Sequence, residues 1–70
     1  MIRDEFAVHM LNEGGIAKAK ALAEGFSTLL EAVEVFAGAE GRDVAIVRTK
    51  LQEASFFAKR AMACRKENQK

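Results

Sequence analysis

The sequence predicts an all-α protein: a short N-terminal helix plus a long antiparallel helical hairpin, assembled as a homo-oligomer. Three observations predict it. Apolar residues recur at three- and four-residue steps through residues 16–37 and 41–65. Between them lies Gly38-Ala39-Glu40-Gly41, whose two glycines suit a tight reversal. The 70 residues are 50% hydrophobic, and so short a chain leaves much of its apolar surface uncovered unless something staples it.

Residues 1–11 read as the short helix. Asp4 and Glu5 suit the positive end of a helix dipole. Ile2, Phe6 and Met10 would face inward. Asn12-Glu13-Gly14-Gly15 then reads as a break, since asparagine and glycine tolerate the left-handed backbone that ends helices.

Residues 16–37 read as the second helix. Ala19, Leu22, Ala23, Phe26, Leu29, Leu30, Val33, Phe36 and Ala37 form its apolar stripe. Lys20, Glu24, Ser27, Glu31 and Glu34 lie opposite. Gly25 sits inside this helix and points to a close approach of another helix, since glycine there costs about 1 kcal/mol against alanine.

Residues 41–65 read as the third helix, the stretch around which the chain is organised. Val44, Val47, Leu51, Ala54, Ala58, Ala61 and Met62 share one face, flanked by Ile46, Phe57 and Cys64. That arc spans roughly half the circumference, wider than the ~100° strip of an ordinary surface helix. Phe56 lies outside it, about 100° from Phe57. One partner helix cannot cover so much, so Phe56 and Phe57 are expected at subunit interfaces and Cys64 in the core. Residues 66–70 are polar and expected to fray.

Composition excludes several classes. Eleven basic and 10 acidic residues leave a net charge of +1, which argues against binding polymeric nucleic acid. A single cysteine and a single histidine supply neither a disulfide framework nor a zinc site, and no cofactor is expected. No apolar run approaches the ~20 residues of a membrane span. Arg3, Asp4 and Glu5 interrupt any signal-peptide pattern, so a reducing cytoplasm is the expected location. The chain reads as one domain, residues 1–70. No nucleophile, carboxylate pair or metal cluster suggests catalysis, so the protein is not read as an enzyme.

The candidate chemistry is binding. Lys18 and Lys20 follow Gly14-Gly15 at a helix start, where acids are the norm. Free backbone N–H groups, glycines and lysines there read as a phosphate cradle, or as two solvated lysines on a turn. His9 reads as a contact for a base or phosphate, or as a packed structural histidine. Arg48, Gln52 and Lys59 read as a solvated face, while Lys59, Arg60 and Arg65 are placed to meet an anion near the C-terminus.

Three pieces of sequence form a pattern: Gly41-Arg42-Asp43, Thr49-Lys50-Leu51-Gln52-Glu53-Ala54, and Phe56-Phe57-Ala58-Lys59-Arg60-Ala61-Met62-Ala63. They resemble the S/G-R-E, T-K-L-E-E-A and aromatic-A-N-A-A-I-A elements of the bacteriophage anti-CBASS family of cyclic-oligonucleotide sponges. Phe6-Ala7-Val8-His9 is similar to that family's F-x-Y-H element. The resemblance covers the third helix closely, the first loosely and the second only in pattern.

The resemblance implies a homohexamer in the cytoplasm of an infected bacterial host. It would sequester cyclic dinucleotides such as cyclic GMP-AMP, and trinucleotides as a second ligand class, without cleaving them. The ligand set it implies is Phe6, Val8, His9, Lys18, Lys20, Lys59 and Arg65. Val8 stands where the family has a stacking tyrosine, leaving Phe6 or His9 to meet the bases. Lys59 stands at an asparagine of the family's trinucleotide site. Cys64 takes the place of its C-terminal arginine, with Arg65 displaced by one. The rival reading is an oligomeric helical scaffold with no small ligand.

Overall fold

The structure is a computed structural model and describes residues 10–70. The expected N-terminal helix lies outside the described residues except at its end. There, Met10 and Leu11 are not helical; Leu11 forms an isolated antiparallel bridge with Gln69.

Helix α1 spans Glu13–Ala37 and begins earlier than the periodicity indicates. The reason is Asn12. Its backbone is extended, and its side-chain oxygen accepts the Gly15 N–H at 2.8 Å. That satisfies one of the donors a helix start leaves open. Asn12-Glu13-Gly14-Gly15 is therefore a cap and a first turn, not a break. At the other end Gly38 takes φ 86°, and its N–H donates to the Glu34 carbonyl at 2.9 Å. Gly41, at φ 123°, opens helix α2, Arg42–Ala63. Both backbone conformations favour glycine, which has no β-carbon to clash.

At about 1.5 Å per residue the helices run roughly 37 and 33 Å. They pack against each other. Leu22, Phe26, Leu30 and Val33 of α1 and Val47, Leu51 and Met62 of α2 are half-buried. Arg48 holds the connecting turn by donating to the Ala39 carbonyl at 3.2 Å and to Glu34 at 3.4 Å. Among the described residues the fold is helical, with no strand.

Val44, at 5% exposure, is the one buried aliphatic side chain among the described residues. The predicted stripes are otherwise only partly covered. Leu29, Phe36 and Ala37, expected inward, are exposed, and Phe36 reaches 89%. A single neighbouring helix shields one side of each stripe and leaves the rest open. Gly25 marks no close approach among the described residues, because a β-carbon there would meet none of their atoms within 4 Å. Cys64, expected inside, is exposed at the C-cap of α2.

The C-terminal end departs furthest from expectation. Residues 66–70 are not frayed. Lys66–Asn68 form a 3-10 turn, and the main chain from Asn68 onward pairs with the residues just before α1. Lys70 N–H donates to the Met10 carbonyl and Asn12 N–H to the Asn68 carbonyl, both at 2.9 Å. A polar tail gains order through hydrogen bonds to a fixed backbone, which hydrophobic patterning does not register.

Candidate ligand-binding site

The tail sets the geometry of the best candidate site. Asn12 does more than cap α1. Its side-chain nitrogen donates to the Glu67 carbonyl at 2.9 Å and to the Gln69 carbonyl at 3.0 Å. The tail also fastens to the end of α2. Asn68 Nδ2 donates to the Met62 carbonyl at 2.9 Å, and Gln69 Nε2 to the Ala63 carbonyl at 3.0 Å. The Ala63 carbonyl thereby gains a donor at the helix end, and the Met62 carbonyl, which also accepts the Arg65 N–H at 3.2 Å, gains a further one. Asn68 is 1% exposed. With Nδ2 committed to Met62, its Oδ1 faces Lys18 and accepts from Nζ at 2.6 Å.

This arrangement corrects one expectation. The N–H groups after Gly15 do not form an open phosphate cradle. Gly15 N–H is bound by the Asn12 side chain, and Ile16 N–H donates to the Asn12 carbonyl at 2.9 Å. Gly15 is itself buried beneath the Asn68 carbonyl. The glycine admits the chain's own tail.

Two expected ligand residues nevertheless come together. Lys18, from α1, and Arg65, just past α2, line one groove with Ala21, Leu22, Ala58, Ala61, Met62 and Asn68. Its volume is about 560 Å³, within the range of roughly 300–1,000 Å³ usual for small-molecule sites. The lining is mostly apolar, with Lys18, Arg65 and Asn68 as its polar residues. Arg65 also pairs with Glu67 at 2.7 Å, in a bridge whose side chains are both largely exposed. Such a pair contributes little and can exchange for a stronger anion.

Lys59 lies elsewhere. It lines a second, larger groove between the helices with Phe26, Leu30, Leu51, Phe56 and Arg48, of about 840 Å³. That groove has no acidic side chain in its lining. Phe56 meets Phe57 edge to face, with ring centres 5.3 Å apart and planes at 83°, an attractive geometry for two aromatic rings. Lys20 is exposed and lines neither groove. Phe6, Val8 and His9 lie outside the described residues.

Sequence reasoning missed Asn12, Asn68 and Gln69. A signal existed for the first: asparagine immediately before a helical pattern is a cap signature. Among the described residues no cluster of His, Cys, Asp or Glu could hold a metal ion, and no helix is long and apolar enough to cross a membrane. No known family model, curated protein or solved structure matches the chain.

Proposed function

We propose that this protein sequesters cyclic oligonucleotides, cyclic dinucleotides foremost, by binding without cleavage, and so denies a bacterial CBASS effector its activator. The observation that carries the reading is the convergence of Lys18 and Arg65 on one groove. Two cations in a groove otherwise lined mostly by apolar side chains suit a ligand that carries both phosphates and flat bases. The residue pattern of α2 resembles the anti-CBASS sponges, which supplies the ligand class.

In this reading the helices form an antiparallel hairpin, and copies assemble as a homo-oligomer of six. The exposure of Val35, Phe36, Phe56 and Phe57 supports assembly, because four large apolar side chains in water favour association. A scaffold with no small ligand shares that support, so ligand binding is the discriminating property. Thermal unfolding with a panel of cyclic di- and trinucleotides tests it. A sponge gains melting temperature with at least one of them, and the ligand is recovered intact after denaturation. A panel without effect establishes the scaffold.

A further inference from the structure

We propose that Asn68 is a positioning residue for anion binding in this groove: it holds Lys18 beside Arg65 so that both meet the phosphates of one ligand. This rests on the nucleotide reading of the groove. A lysine on a free stem samples many rotamers, and ordering it on binding costs affinity. Here that ordering is already done. The buried carboxamide cannot turn, because Nδ2 is bound to the Met62 carbonyl. Its backbone carbonyl is fixed by Asn12 N–H. Oδ1 therefore presents one acceptor to Lys18 Nζ, at 2.6 Å and across 50 positions of sequence.

Amide chemistry suits the task. An ammonium group has three donors, so one bond to Asn68 leaves two for a ligand. A carboxylate at position 68 would neutralise the charge, whereas an amide steers it and leaves it whole. The tail thus acts on the ligand by way of Lys18.

The test is a double-mutant cycle on the full chain, with Lys18→Ala, Asn68→Ala and the pair. Binding of fluorescent cyclic GMP-AMP is measured, and helical circular dichroism is checked for each variant. Each single variant is expected to lose about tenfold in affinity. The pair is expected to lose no more than Lys18→Ala alone, because a residue acting through Lys18 has nothing left to position. Losses that multiply would overturn the proposal and leave Asn68 a structural residue.

Should Asn68→Ala fail to fold, the wild-type chain still decides. Titration with inorganic pyrophosphate, followed by carbon NMR of the lysine and arginine side chains, is expected to shift Lys18 and Arg65 together. Unless both move, the proposal fails. If wild type binds no cyclic GMP-AMP yet pyrophosphate shifts both, the groove takes anions and the nucleotide reading is what falls.

Discussion

The chain's two asparagines meet: the backbone N–H of Asn12 donates to the carbonyl of Asn68 at 2.9 Å. One begins α1 and the other closes the tail, so this contact joins the ends of the described fold. Around it the Asn12 side chain reaches Gly15, Glu67 and Gln69 at once. Asn12→Ala removes a cap and two tail bonds together. Loss of a cap alone costs about 1 kcal/mol. The substitution is expected to cost about 2–3 kcal/mol in all, read as a lower urea midpoint. A change within 0.5 kcal/mol, typical of plain surface sites, would mean that the tail is not held in solution.

Two glycines of α1 should respond in opposite directions to the same substitution. A β-carbon at Gly15 would overlap the Asn68 carbonyl and crowd Leu11, whereas one at Gly25 meets open space. Gly15→Ala is expected to destabilise by about 1–3 kcal/mol, the usual range for overpacking. Gly25→Ala is expected to stabilise by about 1 kcal/mol through helix propensity. Paired thermal melts check the contrast. If Gly25→Ala is harmful, something beyond the described residues, another copy of the chain or residues 1–9, packs against that position.

Phe36 tests assembly. At 89% exposure it contributes almost nothing to the single chain, so Phe36→Asp should change monomer stability by less than about 0.5 kcal/mol. In the proposed oligomer, wild type sediments at a multiple of 7.7 kDa and the variant shifts toward the monomer. Wild type running at the single-chain mass would refute the assembly.

Lysine substitutions separate the candidate sites. The family resemblance predicts that Lys20→Ala weakens cyclic-dinucleotide binding by about 1.5–3 kcal/mol, as for a charged hydrogen bond. The groove geometry adds an expected loss of about tenfold for Lys18→Ala, roughly 1.4 kcal/mol. Calorimetry on both variants decides the matter. Full affinity in Lys20→Ala alongside a loss in Lys18→Ala would remove Lys20 from the site.

The helices were legible because their signal is local. Three- and four-residue periodicity placed α1 and α2 to within a few residues, and Gly38 and Gly41 marked the turn between them. The tail was not legible, because its order depends on partners more than fifty positions away and on polar atoms that carry no apolar period. The same gap hid Asn68, whose short polar side chain looks like a loop residue until Met62 and Lys18 are brought to it. Burial was overestimated for a related reason. Periodicity tells which face is apolar, as at Leu29 and Phe36, and says nothing of whether a neighbour covers it.

That the described residues enclose Val44 and little else has a thermodynamic consequence for the isolated chain. The response to denaturant scales with the surface that unfolding newly wets, and with one aliphatic side chain fully buried among the described residues that increment is small. Urea titrations at high dilution are therefore expected to be broad and shallow. Steep, cooperative melting should emerge only as protein concentration rises.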